Sequence, residues 1–362
     1  MKILHLESSP GWGGQEIRIL KEAEGMRKRG HTVIFGVTPQ GLLVKEARNK
    51  GFTVYEIDFR KRSWIHSFFS LRQIMRKEEI QIVNTHSSLD SWLGGLVCRY
   101  RKIPIVRTRH LSTSVRGGLN SYLLYNQLTD FVITTCESII SEISQKSKKS
   151  INFFKSLPTG IDPSVIHPNR EEMQKFRNSL GIQETDILVG MACFMRSWKG
   201  IDDFFQAAEQ LREHKNIKWI MIGGGHEERY RQRAKEKDLP IFFTGHLESP
   251  YVAMGSLDIF ALLSTAHEGV SQASLQAAFL EKPLIMTPTG GLREVCLDGV
   301  TGIQVPVFSP NRVAEAVLRL SKDSSLRKEL GKEGKILVKE KFTLQGMLDY
   351  TEAIYQSILD PL

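Results

Sequence analysis

An ionised carboxylate only accepts hydrogen bonds, so one held beside the start of a helix can take two hydroxyl donors while the helix's free N–H groups favour its charge. Glu268 is placed for that work. It follows an apolar, strand-like run through the turn AHEG (266–269), and a helix is expected from about Val270 with Ser271 as its cap. Gly269 and Val270 belong to the same turn. Gln276 comes eight residues after Glu268, about a turn and a half into the helix or ~8 Å of rise. The plain alternative is a surface glutamate at a helix entrance. A second cluster, ACFMRSWKG (192–200), sets Arg196 and Lys199 between a strand and a helix that starts within 200–203. A guanidinium and an ammonium there can hold a diphosphate without metal, or form no more than a solvated basic turn. Gly290 and Gly291, after the next strand, leave a further phosphate-sized gap.

The first half has its own candidates. SSPGWGGQE (8–16) carries Gly11, Gly13 and Gly14 between the first strand and the first helix. Glycines there permit tight turns and the close approach of a phosphate or sugar to a helix N-terminus. The pattern is not GxGxxG, and no acid near position 36 stands ready for a ribose, which argues against a dinucleotide. A tight loop without a ligand is the alternative. THSSLDSW (85–92) and RTRHLS (107–112) each put a histidine directly after a strand, His86 and His110, with Arg107 and Arg109 beside the second. Such histidines are core or capping residues as readily as ligands. Two of them with adjacent arginines suit a polar cleft for hydroxyls or anions.

These residues need elements to position them, and short aliphatic runs alternate with helical segments along the whole chain. Strands are expected at 2–6, 32–37, 53–57, 80–85, 103–107 and 131–135, then at 187–192, 217–222, 241–244, 259–263, 283–287 and 302–305. The first helix, 16–29, would bury Ile17, Leu20, Ala23 and Met26 on one face. Alternation of this kind predicts parallel sheets covered on both sides, and 362 residues exceed a single core. The expected fold is α/β, with two Rossmann-like, doubly wound parallel-sheet domains facing across a cleft and ligands at the carboxyl ends of the strands. LPTGIDPSVIHPNREE (157–172), rich in proline, marks the break, giving domains 1–163 and 164–341 and a last helix in 342–362.

Composition narrows the classes. The formal charge of +9, with 41% hydrophobic and 25% charged residues, is that of a soluble globular protein suited to nucleic acid, an anionic membrane or a phosphate-bearing substrate. No RRM, zinc-finger or helix-turn-helix signature is present, so nucleic acid is not expected. No apolar run reaches the roughly 18 residues of a membrane span, and MKILHLESSP lacks a signal-peptide layout. Cys98, Cys136, Cys193 and Cys296 are scattered without a CxxC pair and read as buried cytosolic thiols. A cytoplasmic chain is expected.

Taken in order, GWGGQE (11–16), RGHTV (29–33), PTGID (158–162), RSWKG (196–200), GGGHE (223–227), FTGHLE (243–248), DIFALLSTAHEG (258–269) and GGLREV (290–295) resemble glycosyltransferase family 4. These are retaining nucleotide-sugar glycosyltransferases of the GT-B fold, here of the bacterial lipopolysaccharide or O-antigen type. The resemblance covers nearly the whole chain. It implies that Glu268 contacts sugar hydroxyls and that Lys199 and Arg196, with the helix end at Gly269, Val270 and Ser271, stabilise a departing diphosphate. His110 would line the sugar site, Gly13 and Gly14 would approach the donor, and Gly223, His246 and Leu247 would lie near the base. His86, Arg109 and Glu16 would face the acceptor, and the last helix would pack back on the first domain. Two departures stand out. The position of Gln276 usually carries an acid for the ribose diol; an amide still accepts and donates but loses charge, and charge-assisted bonds are roughly twice as strong as neutral ones. An arginine commonly stands five residues before the lysine, where this chain has Phe194, and Arg196 is the substitute. The implied reaction keeps the anomeric configuration, and the leaving phosphate helps deprotonate the acceptor. No DxD triplet is present; no metal and no cofactor are expected beyond the donor itself.

FRKRSWIHSFFSLRQIMRKEE (59–79) sets Ile65, Phe68, Phe69 and Arg72 on one helical face, with Lys61, Arg62 and Arg76 within reach of anionic headgroups. It reads as a membrane-surface contact or as a helix that buries its aromatic face in the core. With RTRH and SVRGG (114–118) also basic, a lipid-linked glycan acceptor and a peripheral place on the cytoplasmic membrane are favoured. Two rival readings stay open. A nucleotide-sugar epimerase of the same fold would need several cleft carboxylates, and the chain offers Glu268 and Glu16. A polyanion- or membrane-binding homologue without catalysis is kept open by Gln276 and Phe194.

Overall fold

In the computed structural model, which describes residues 1–110 and 115–360, the aliphatic runs form two parallel sheets. Leu111, Ser112 and Ser114, from the RTRHLS and SVRGG stretches, lie outside the described residues. The first sheet holds β1 (Lys2–Glu7), β2 (Thr32–Val37), β3 (Thr53–Glu56), β4 (Ile82–Thr85), β5 (Ile105–Arg109), β6 (Phe131–Thr134) and β7 (Phe154–Ser156), in the order β3-β2-β1-β4-β5-β6-β7. The second holds β8 (Ile187–Ala192), β9 (Ile217–Ile222), β10 (Ile241–Phe243), β11 (Ile259–Leu262), β12 (Leu284–Met286) and β13 (Gly302–Gln304), in the order β10-β9-β8-β11-β12-β13. Both are doubly wound. The chain fills one side outward from β1 or β8, then restarts beside that strand at β4 or β11. β1 and β8 are buried almost throughout, as strands covered on both faces must be.

The structure moves two of the expected elements and adds one. β5 runs two residues later than expected, to Arg109, so that His110 does follow the strand directly. β7 went unseen because three residues, FKS, carry no period. The first helix, Gly14–Lys28, buries Ile19, Leu20, Ala23 and Met26, while Ile17 is 39% exposed. Its buried face also takes in Glu16, Arg18 and Glu22, and polar partners wait for the last two. Arg18 donates to the Leu157 carbonyl (2.6 Å) and Glu22 accepts from the Tyr355 hydroxyl (2.9 Å).

The chain divides into two compact units, one of Met1–Thr159 with the chain from Gln345 on, and one of Gly160–Leu344. In the first, the closing helix Leu344–Leu359 returns to the first helix. Arg29 pairs with Asp349 (2.6 Å) and Glu352 (2.7 Å), and His31 meets Glu352 (2.8 Å). In the second, Ile161 exchanges backbone hydrogen bonds with Phe342 (2.9 Å) and Leu344 (2.7 Å).

The helix Trp64–Lys77 fits neither expectation in full. Its aliphatic Leu71, Ile74 and Met75 are buried, but Ile65 is 80% and Phe69 61% exposed. Phe68 packs edge-on against Tyr100 of the helix Ser88–Arg101 (5.9 Å), and the Arg72 guanidinium lies over the same ring (5.2 Å). Tyr100 and Leu96 are exposed beside them, and so are Lys61, Arg62 and Arg76. Among the described residues no helix is long and apolar enough to cross a membrane.

Candidate functional site

The winding of the second sheet reverses between β8 and β11, and the segments that leave these strands meet there. Gly200 makes the meeting possible: its φ is +71°, and a β-carbon on it would stand 2.0 Å from the Leu263 carbonyl oxygen. Thr265 N–H donates to the Trp198 carbonyl (2.8 Å). Held so, Lys199 forms an ion pair with Glu268, and the Ser264 hydroxyl donates to the same carboxylate oxygen (2.7 Å). Thr287 donates to the Ser264 carbonyl (2.6 Å), and Gly291 N–H to the Glu268 carbonyl (3.1 Å). Glu268 is therefore a buried, partnered carboxylate and not a surface glutamate. His267, just before it, is left-handed at φ +59°, a strained conformation for a side chain of its size.

The helix expected from Val270 starts at Gln272 and runs to Phe279. Ser271 is its cap, accepting from Ser274 N–H (3.5 Å). Val270 is buried ahead of the cap, Gly269 is half-buried, and Gln276 is half-exposed one turn inside. Arg196 does not join the Lys199–Glu268 pair. It is exposed, its guanidinium stacked over Phe194 (4.9 Å) and Trp198 (5.2 Å). Phe194 is thus a platform for the arginine two residues on. Gly223, at φ +120°, leaves no room for a side chain against the Cys193 carbonyl (2.3 Å), and its N–H donates to Gly245 (3.1 Å). Met195 N–H donates to Gly224 (2.8 Å). The ends of β8, β9 and β10 are so gathered, with His246 exposed beside Gly224 and Leu247 half-buried after it.

The first sheet reverses between β1 and β4, and its polar residues gather at that point. The His5 Nδ1 lies 2.9 Å from His86 Nε2, and His86 Nδ1 lies 3.0 Å from His110 Nε2. Burial holds all three rings below the ordinary imidazole pKa, His86 and His110 well below it. This corrects the acceptor-side expectation for His86: it is buried with both ring nitrogens engaged, so it has none left for a ligand. Glu7 accepts from Ser9 N–H (2.6 Å), the Ser87 hydroxyl (2.6 Å) and the Gln15 amide. Asp90 accepts from the backbone N–H groups of His86 (3.0 Å) and Ser87 (2.9 Å). Arg109 receives its place from the Tyr125 hydroxyl (2.7 Å), and Glu16 is buried under the glycine loop.

The glycines of that loop are not there for backbone reasons. Gly13, the helix N-cap, has an extended φ of −169° that any residue adopts, and Gly14 has nothing within 4 Å of a built β-carbon. What they provide is bare space at a helix start. Sequence reasoning passed over His5, Glu7, Asp90 and Ser264. His5 and Glu7 left a signal, since both are polar residues inside the otherwise buried run KILHLE. Asp90 left one too, the Ser87-x-x-Asp90 capping box before an apolar run; Ser264 left none.

Comparison with known proteins fits this geometry. Residues 172–336 match the family of glycosyl transferases group 1, and residues 12–165 match glycosyltransferase family 4. An uncharacterized glycosyltransferase of Methanocaldococcus jannaschii is 31% identical, covering 83% of this chain and 83% of its own. The capsular polysaccharide biosynthesis glycosyltransferase CapM of Staphylococcus aureus is 24% identical over 99% of this chain and 97% of its own. In fold, the chain is similar to Anabaena HepE, solved in complex with UDP-glucose, with a TM-score of 0.83 at 18% identity over 99% of this chain and 100% of that one.

Proposed function

Because the chain belongs to the glycosyltransferases of group 1 and family 4, we propose that it transfers a sugar from a nucleoside-diphosphate donor to a hydroxyl of a glycan acceptor, with retention and without a metal ion or other cofactor. The observation that carries this reading is the ion pair of the half-buried Lys199 with the buried Glu268 at the winding reversal of the second sheet, where doubly wound sheets take their ligands. A buried ion pair is split favourably only by groups that replace both partners. A sugar diphosphate does so, its phosphate taking the ammonium and its hydroxyls donating to the carboxylate. The UDP-glucose bound by the Anabaena neighbour supports this donor class.

In the proposed reaction the bond between the anomeric carbon and the diphosphate oxygen breaks. The acceptor oxygen bonds to that carbon on the same face, and its proton passes to the departing phosphate. Lys199, Arg196 and the free N–H groups at the start of the helix Gln272–Phe279 offset the charge that develops. Gln276 is assigned to the ribose, and Gly223, His246 and Leu247 to the base. In the first unit His110 is assigned to a sugar oxygen, Gly13 and Gly14 to close approach, and Arg109 with Glu16 to the acceptor.

Nucleoside diphosphate release from UDP-, GDP- and ADP-sugars, with and without EDTA, tests the reading. The expected result is turnover of one donor that EDTA leaves unchanged and Glu268→Ala abolishes, with tighter donor binding in Gln276→Glu. No binding of any nucleotide sugar would sink it in favour of a non-catalytic homologue.

A lipid-linked acceptor, such as a lipopolysaccharide or capsule precursor, and a peripheral membrane position are supported by one further feature. The exposed Ile65, Phe69 and Tyr100 stand beside the exposed Lys61, Arg62 and Arg76, an apolar patch with a basic rim that suits anionic headgroups. The name of the Staphylococcus aureus relative, a capsular polysaccharide enzyme, points to the same class of acceptor. Sedimentation with anionic vesicles should fall when Lys61, Arg62 and Arg76 are reversed to Glu; unchanged sedimentation would remove the membrane from the proposal.

A further inference from the structure

On the reading above of His110 as a sugar-site residue, we infer that His5 and His86 are positioning residues that hold the His110 imidazole in a single tautomer, with its proton on Nδ1. The three rings form one row from inside β1 to the carboxyl end of β5, with contacts of 2.9 Å (His5 Nδ1 to His86 Nε2) and 3.0 Å (His86 Nδ1 to His110 Nε2). The first two rings stack almost parallel, 5.1 Å between centroids and 13° between planes. Asp90 fixes the middle of the row by taking the His86 backbone N–H (3.0 Å).

A neutral imidazole has one N–H and one lone pair, so the row has only two self-consistent arrangements. In the first, His5 Nδ1–H donates to His86 and His86 Nδ1–H donates to His110, which leaves the His110 proton on Nδ1. In the second, every bond is reversed and the proton of His5 sits on Nε2. His5 Nε2 is buried and has no partner among the described residues. The choice is therefore between an unpaired lone pair and an unpaired N–H at that atom, and orphaned N–H groups are the rarer in folded proteins. Glu22, the acid whose charge acts on His5, makes no hydrogen bond to that ring; it takes the Tyr355 hydroxyl (2.9 Å) and the Asn84 amide (3.4 Å) instead. Burial first, and the charge of the fully buried Arg18 in addition, oppose protonation of both His86 and His110, which keeps the row neutral. The first arrangement is the one the geometry favours.

The consequence for chemistry is definite. His110 Nε2 is occupied by His86, so the only ring atom left for a ligand is Nδ1, and it bears hydrogen. His110 then donates a hydrogen bond to an oxygen of the bound sugar and has no lone pair with which to take the acceptor's proton. It orients and does not act as a base.

The test is long-range 1H–15N spectroscopy of the intact protein with labelled histidine side chains, the His110 signals assigned with His110→Gln. Wild type should show the proton of His110 on Nδ1. His86→Asn, whose amide nitrogen stands where Nδ1 stood and still donates, should preserve that tautomer. His86→Leu should shift His110 toward the Nε2–H form and raise the KM for donor roughly fivefold, the equivalent of one ordinary hydrogen bond, with kcat less affected; His86→Asn should restore it. An Nε2–H signal for wild-type His110, or an unchanged His110 in His86→Leu, would overturn the inference. If His86→Leu does not fold, the wild-type spectrum decides alone. The spectra involve no turnover, so a wrong donor or reaction leaves the tautomer result standing, and the reverse holds too.

Discussion

Glu7 ends β1 with its carboxylate out of solvent, pressed against Ser9, Ser87 and Gln15. Burial first, and the charge of Asp90 second, push its pKa from 4.5 up to about 8. Between those values the folded protein keeps a proton that the unfolded chain has released. The Glu7 contribution to stability therefore falls as pH rises from 4.5 to about 8 and levels off above it, while the buried neutral His5, His86 and His110 pull the other way below the ordinary 6.5. Asp90, raised from 3.8 to about 6, pulls the same way as Glu7 at lower pH, so with the histidines opposing it below 6.5 the interval above 6.5 belongs to Glu7. Glu7→Gln, which cannot ionise, should flatten the melting-temperature profile above pH 6.5 and exceed wild type at pH 9. A wild-type slope that survives in the variant would assign the titration elsewhere. The sequence marked Glu7 only as a polar residue inside a buried run; the charge that adds to its shift, Asp90, comes from a different strand-to-helix turn.

At the scale of elements, two glycines that look alike in the sequence have opposite meanings. Gly200 precedes the helix Ile201–Gln210 with φ +71° and its α-carbon against Leu263. Gly200→Ala must strain the backbone and push apart the two segments that carry Lys199 and Glu268. A loss of about 2–6 kcal/mol in urea unfolding is expected, since strain and overpacking each cost about 1–3. Gly14, the first residue of its helix, has open space around it. Gly14→Ala should leave stability unchanged or raise it by at most about 1 kcal/mol, so any rise in the KM for donor would report a ligand coming close. Equal losses in the two variants would contradict the packing described. The sequence placed both glycines at strand exits, and it placed Ser271 as a cap. It misread the first helix's face, because Ile17 obeys the apolar period while Arg18 and Glu22 obey their buried partners. It also read Phe194 only as a missing arginine, when its ring supports Arg196.

Across the whole chain, what was legible is what repeats. Strand and helix alternate at regular spacing, and ordered segments such as RSWKG and STAHEG sit at the strand exits, so two doubly wound sheets, and Lys199 and Glu268 as separate candidates, could be approached from the sequence, though not their ion pair. What was not legible joins residues far apart through polar contacts, which have no period. His5 and His86 are 81 positions apart, and Tyr355 and Glu22 are 333 apart. The second case gives a prediction at this scale. The closing helix starts where the second unit ends, but it belongs by contact to the first. It buries Met347, Leu348, Thr351 and Tyr355 there, with Leu348 filling the notch at Gly25, where a β-carbon would come within 2.3 Å of it. Removing the chain from Gln345 on should therefore strip hydrogen-exchange protection from β1 to β6 while β8 to β13 keep theirs. Tyr355→Phe is the milder form: it leaves the ring but takes the hydroxyl from between Glu22 and Asn84, at a cost of about 1–3 kcal/mol for the unpaired buried groups. That cost should appear in the same strands. Loss of protection spread evenly over both sheets would mean that the two units unfold as one, and the closing helix would then be a support for the whole protein rather than for the unit it packs on.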